Sequence, residues 1–274
     1  MRRLAAALAL AASVAPAAPA GRFALEGTLS QGGLATGVAP AGTTGLTLDG
    51  KPIPIAPDDR FLLAFDRDAA RTATLIATDG EGRQLVQMLS IAPRAWQIEN
   101  LSTLPKHVQP EPEFLALRKP ELAQIAAARA LETDAEGWRQ HFRWPASGRQ
   151  SGWFGSQRIY RGEPGEYHSG ADLAVPTGTA VVAPADGVVI LAADHPFTLE
   201  GNLLMLDHGM GLNSAFLHLS QILVRPGEHV AQGQIIARSG ATGRATGPHL
   251  HWSLRWRDAR IDPLLVVGSP PPAR

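Results

Sequence analysis

From Phe142 to about Val267 the chain is written in short apolar runs cut again and again by glycine, a texture that strands tolerate and long helices do not. Residues 180–183, 187–192, 202–207, 212–217, 235–239 and 251–256 are the expected strands. Seven of the nine histidines fall in this stretch, which marks it as the working half of the molecule.

The half before it reads as strands as well. Residues 23–29 roughly alternate apolar and polar, and 45–48, 60–65, 73–77 and 84–91 repeat the signal between Gly, Pro and Asp punctuation. Asp49-Gly50 and Asp79-Gly80 are the strongest hairpin signals, because such pairs accept the positive φ of primed turns. Five to seven strands in about 85 residues suggest a small β-sandwich. It holds no histidine and no polar constellation, so it is expected to act as a packing or spacer unit. Between the halves lies a Pro-rich hinge, and Pro120-Glu121 is expected to open a helix running to about Thr133. Leu122, Ile125 and Ala126 give that helix a modest apolar stripe, which Arg129 interrupts.

Composition narrows the chemistry. With 25 basic and 25 acidic residues there is no electrostatic footprint for nucleic acid. With no cysteine, any metal must be held by imidazole and carboxylate. At the N-terminus, Arg2-Arg3, an apolar stretch from Leu4 to Val14 and Ala18-Pro19-Ala20 read as a cleaved secretory signal. Its apolar run is shorter than the ~20 residues of a membrane-spanning helix, and nothing later in the sequence is expected to span one.

The candidate chemistry sits in two segments. His168-Ser169-Gly170-Ala171-Asp172 puts an imidazole four residues before a carboxylate, where Gly170 and its surroundings argue for a loop running into a strand. Gly247-Pro248-His249-Leu250-His251 puts two imidazoles two apart at a strand start, so both point to one face. A catalytic zinc needs three such ligands and an open position. His107, His141, His195, His208 and His229 are expected to be solvated or structural.

These segments, with Leu217-His218-Leu219-Ser220, resemble the three signatures of the lysostaphin/LytM-type zinc metallopeptidases. Pro184-Ala185-Asp186-Gly187, Asp207-His208-Gly209, Val224-Arg225-Pro226-Gly227 and Thr242-Gly243-Arg244-Ala245-Thr246-Gly247 add to the likeness, which spans Ser151 to about Pro263. The preceding stretch resembles, more loosely, the β-domain found before such peptidases in Gram-negative bacteria.

The resemblance implies a mostly β, two-domain protein: a signal peptide at 1–20, a β-sandwich at 21–105, a Pro-rich linker with a helix at 106–141, an antiparallel β-sheet metallopeptidase domain at 142–267 and a flexible tail at 268–274. It makes His168, Asp172 and His251 ligands of a Zn2+ ion and His218 and His249 the non-ligand catalytic pair, their division of labour left open. A site of this type can bring the pKa of water towards about 7. With no H-E-x-x-H motif there is no glutamate base, so an imidazole must move the proton. Phe216 stands where the family often has tyrosine, and a core role is expected for it.

The function implied is a metallo-endopeptidase, secreted across the inner membrane to the periplasm, that cuts cross-links or stem peptides of peptidoglycan. A non-catalytic wall-binding activator of another hydrolase is the alternative, and a secreted protease of other peptides is a third reading. Peptidoglycan peptides are the expected partner; no residue identifies an activator or inhibitor protein. Residues 109–150 or a β-domain loop could hold the site latent by supplying a plug ligand.

Overall fold

A computed structural model describes residues 22–103 and 111–272. The expected signal peptide, His107 and the hinge prolines Pro105 and Pro110 lie outside the described residues. Among the described residues no helix is long and apolar enough to cross a membrane.

Seven strands come first: β1 (Ala24–Gly27), β2 (Leu34–Val38), β3 (Thr43–Leu48), β4 (Lys51–Pro52), β5 (Arg60–Ala64), β6 (Thr72–Asp79) and β7 (Gln84–Ser90). They form two antiparallel sheets, β1-β2-β5 and β4-β3-β6-β7. Leu46, Phe61, Leu63, Leu75 and Leu89 are buried in a common apolar cluster. Strand β2 escaped the sequence reading because Ala35 and Gly37 dilute its pattern; a side chain at Gly37 would run into the Phe61 ring. The Asp49-Gly50 turn has both residues at positive φ, as a primed turn requires. The other turn differs from expectation. Gly82, not Gly80, takes the positive φ, while the Asp79 carboxylate accepts hydrogen bonds from the amides of Glu81 and Arg83.

The linker helix α1 spans Pro112–Arg129, so it begins eight residues earlier than expected and Pro120 lies inside it. Pro112-Glu113 carries the same proline-then-acid signal as Pro120-Glu121, and the helix starts at the first of them. Its buried positions are Glu121, Ile125 and Ala128, whereas Leu122 is exposed. Those contacts sustain the helix past a proline that removes one backbone donor.

The remaining strands are β8 (Ile98–Leu101), β9 (Arg149–Gly152), β10 (Gln157–Tyr160), β11 (Glu163–Pro164), β12 (Ala171–Ala174), β13 (Ala180–Val182), β14 (Gly187–Ala192), β15 (Asn202–Asp207), β16 (Leu212–Leu219), β17 (Gln221–Ile222), β18 (His229–Val230), β19 (Ile235–Arg238), β20 (Leu250–Trp256) and β21 (Ala259–Ile261), with a last helix α2 at Pro263–Val267. The main sheet is antiparallel in the order β18-β14-β15-β16-β20-β12-β9, and β21 pairs with β20. One face of this sheet packs Phe216, Trp252, Leu254 and Trp256 into the core. Phe216 is fully buried there, as its core role demands. On the other face, Leu203, Met205 and Ala215 receive Ile125 and Ala128 of α1.

The early strands also brace the later ones. Parallel pairing joins β8 to β10, Arg94 forms a 2.7 Å ion pair with buried Asp262, and Arg67 donates to the Gly155 carbonyl at 3.0 Å.

Candidate metal centre

Asp172 in β12 pairs with His251 in β20, which pairs in turn with Leu217 in β16, so all three positions share the sheet face that carries α1. Three ligand atoms converge there. His168 Nε2 lies 3.0 Å from Asp172 Oδ1 and 3.0 Å from His251 Nδ1, and His251 Nδ1 lies 2.8 Å from Asp172 Oδ1. A tetrahedral site with ~2.0–2.1 Å bonds has edges of about 3.3 Å, so this triangle needs to open by only a few tenths of an ångström to receive an ion.

Neighbouring carbonyls aim the rings. His168 Nδ1 faces the Trp153 carbonyl at 3.1 Å, which as donor leaves Nε2 for the centre. His218 Nδ1 faces the Thr242 carbonyl and His249 Nδ1 the Gly247 carbonyl, each at 2.9 Å, so both keep Nε2 free. The His218 and His249 rings are 4.7 Å apart, and His249 Nε2 is 3.9 Å from Asp172 Oδ1. The donor set suits a borderline metal: two nitrogens and one oxygen, no thiolate, and a second imidazole pair alongside.

Electrostatics follow from the packing. Burial opposes charge on Asp172, but hydrogen bonds with His168 and His251 outweigh it and hold the carboxyl far below its usual range. Burial likewise disfavours the charged form of His168, yet the Asp172 carboxylate wins and the imidazole is pushed up. Burial pushes His251 down, and His218 down to about 4. With His218 neutral at pH 7, its Nε2 is an acceptor and not a donor.

All five expected residues therefore meet in one place: His168, Asp172 and His251 as a triangle, His218 and His249 beside it. Among the described residues the His, Cys, Asp and Glu side chains close enough to share an ion are His168, Asp172 and His251. His141, His195 and His229 are exposed, while His208 is fully buried between the Asp186 carbonyl and the Ser214 hydroxyl. Of the aromatics next to His168 in space, Trp153 is exposed, but Phe154 is core, stacked edge-on with Trp96 and Tyr167.

Three parts of the site were missed in the sequence. The orienting carbonyls of Trp153, Thr242 and Gly247 carry no side-chain signal at all. Gly152 is the second: it pairs with Asp172, and a Cβ there would strike the carboxylate. The third is Arg118, which grips Glu200 in a two-point pair and also reaches Glu121; Glu121 in turn accepts from the amide and hydroxyl of Thr198.

Residues 166–263 match Peptidase family M23. Two curated relatives from Vibrio cholerae serotype O1 are peptidoglycan DD-endopeptidase ShyA, 48% identical over 87 residues, and peptidoglycan DD-endopeptidase ShyB, 44% identical over 95. The matches cover 32% and 35% of this chain but only 20% and 22% of those relatives, so the chain spans about a fifth of their length. A crystal structure from Pseudomonas aeruginosa described as a peptidase M23 superposes with a TM-score of 0.67 at 28% identity, covering 88% of this chain and 96% of that one. The chain carries, at residues 166–263, a peptidase family M23 domain.

Proposed function

We propose that this protein is a zinc metallo-endopeptidase that hydrolyses peptide cross-links or stem peptides of peptidoglycan. The observation that carries the reading is the convergence of His168 Nε2, Asp172 Oδ1 and His251 Nδ1 within 2.8–3.0 Å beside two further imidazoles. These three would hold the ion, and a zinc bound there supplies Lewis acidity and an activated water near neutral pH.

The remaining steps belong to the chain's own residues. Neutral His218 accepts a proton at Nε2, and His249 stands close enough to share it or to donate to the oxygen of a scissile carbonyl. The substrate would lie on the sheet face bearing His251 and Ser253, beside α1, which packs on Met205 and Ala215 of the same face. The substrate class rests on the relatives named peptidoglycan DD-endopeptidases and on the leader-like first twenty residues, which favour action in the periplasm.

The deciding experiment is release of soluble fragments from purified peptidoglycan, with and without zinc chelation, beside a His249→Ala control. Release that needs both zinc and His249 supports the proposal. No release from a protein that still binds zinc stoichiometrically would point to latency or a missing activating partner, and no release with no zinc bound would leave the wall-binding alternative.

A further inference from the structure

Arg129, which interrupts the apolar stripe of α1, hangs over the sheet at the end of the helix. Because Ile125 and Ala128 seat the helix on Met205 and Ala215, Arg129 overlooks a small hollow on the metal-bearing face, floored by Met205, Ala215 and Ser253 and edged by Asn213 and Arg255. Ser253 and Arg255 follow His251 at alternate positions of β20, so they extend the line that starts at the metal triangle. At ~3.3 Å per residue, Arg255 lies about 13 Å along the strand from His251.

The cations around this hollow have little counter-charge: Glu200 only partly offsets the repulsion that Arg129 feels from Arg255 and Arg260. Among the described residues no carboxylate ion-pairs with Arg129. Arg255 spends its Nε on the Arg257 carbonyl at 2.6 Å, and its nearest carboxylate, Asp258, is 3.8 Å away and 87% exposed. Packing against the sheet, then the charges of Arg255 and Arg260, push the Arg129 guanidinium down to about 10, so it is still charged at neutral pH. A surface arginine usually turns from its like-charged neighbours or covers apolar surface. Here two guanidinium groups edge one small hollow whose polar rim is Asn213 and Ser253, an arrangement that an anion stabilises.

We propose that Arg129 and Arg255 form an anion subsite that anchors a free carboxylate of the peptide substrate, three to four residues from the bond that is cut. The spacing follows from the length of an extended peptide, ~3.4 Å per residue. This inference rests on the peptidase reading and deepens it. Stem peptides carry free carboxylates, and amidation removes their charge, so the subsite makes the enzyme sensitive to wall amidation.

The test uses a pair of stem peptides identical except for carboxylate or carboxamide at that distance. Turnover is measured with the zinc-loaded full chain, and equilibrium binding with zinc-loaded His249→Ala. A preference for the carboxylate peptide of about tenfold or more is expected in both assays. It should collapse towards one in Arg255→Gln and Arg129→Gln, with the change in KM rather than kcat, and fall only in part in Arg255→Lys. Equal binding and turnover of the two peptides while peptidoglycan is digested would overturn the subsite and leave the peptidase reading standing. If no peptidoglycan is digested but His249→Ala still prefers the carboxylate, the peptidase reading fails and the subsite stands.

Discussion

The backbone amide of His218 donates to the carbonyl oxygen of Glu200 at 2.8 Å, and His218 makes this bond with φ at 62°, inside strand β16. Leu217 already faces the metal side opposite His251, so regular alternation would send His218 into the core beside Phe216. The left-handed backbone breaks that alternation and brings the imidazole to His249. Such a conformation costs roughly 1–3 kcal/mol and persists only where surroundings impose it. Here the Glu200 carbonyl holds the amide, the Thr242 carbonyl holds the ring, and Arg118 of α1 holds the Glu200 carboxylate.

Arg118→Ala should therefore lower kcat more than it raises KM, because it frees the segment that fixes His218. It also strands Glu121, only 5% exposed at its side chain, beside Glu200 at 16%. Loss of one partner from such a buried pair costs roughly 3–5 kcal/mol, which urea unfolding would register. Arg118→Lys should recover part of the stability and less of the activity. An Arg118→Ala protein with wild-type kcat would break the link between helix and site.

The two classes of histidine should separate by metal content. His168→Ala removes a ligand, so the purified variant should lose stoichiometric zinc and the thermal stabilisation that zinc confers. For the intact site that stabilisation is about 2.7 kcal/mol at a hundredfold excess over Kd. His249→Ala should keep zinc and its stabilisation while losing about 100-fold or more in turnover. Metal analysis beside calorimetry checks both. Zinc lost equally from the two variants would mean that His249 is itself a ligand.

The polar residues of the centre drew attention because their types are their chemistry, imidazole and carboxylate at short spacing in a chain without cysteine, while the division into ligands and catalytic pair, and the place of His218, came from the family resemblance. The strand pattern was legible because glycine and proline set its limits. What stayed hidden is geometry that side-chain identity does not encode. Trp153, Thr242 and Gly247 act through carbonyls, and any residue has one. The start of α1 was misplaced because two proline-acid pairs compete and only tertiary contact at Glu121, Ile125 and Ala128 lets the helix run through the second. The early strands were expected to be a packing or spacer unit, and what the sequence did not show is where they pack: Arg67 and Trp96 close around Gly155, whose amide donates to the His168 carbonyl at 2.8 Å.

Gly152→Ala tests how closely the neighbouring backbone shapes the metal centre without replacing a ligand. Gly152 sits opposite Asp172 across the β9–β12 pair, and a methyl group there would meet the carboxylate oxygen and its carbon well inside contact distance. Asp172 must then swing away from His168 and His251. Zinc affinity should fall by roughly 10–100-fold, the range typical of losing an orienting partner, while the fold, read by far-UV circular dichroism, survives. Unchanged zinc affinity in competition with a chromophoric chelator would show that the carboxylate has room to adjust.

Acid stability should turn on a histidine outside the metal centre. His208 is fully buried, its Nδ1 donating to the Asp186 carbonyl at 2.8 Å and its Nε2 accepting from the Ser214 hydroxyl at 2.7 Å, while Trp252 donates to the same hydroxyl. Both ring nitrogens are satisfied in the neutral form without a buried charge, and burial pushes the imidazole down to about 4. Above the ordinary histidine value of about 6.5 neither folded nor unfolded chain binds the proton, so His208 leaves stability independent of pH. As the pH falls from about 6.5 towards 4 the unfolded chain takes up a proton that the folded chain refuses, and stability declines. The full loss is roughly 3 kcal/mol, reached near pH 4. His218, also pushed down to about 4, adds to the slope in metal-free protein, so the measurement belongs on zinc-loaded protein above the pH at which the metal dissociates. Urea unfolding of wild type and His208→Gln over that window should show a shallower decline in the variant, whose side-chain amide does not titrate. Parallel slopes would mean that His208 already carries its proton in the folded state.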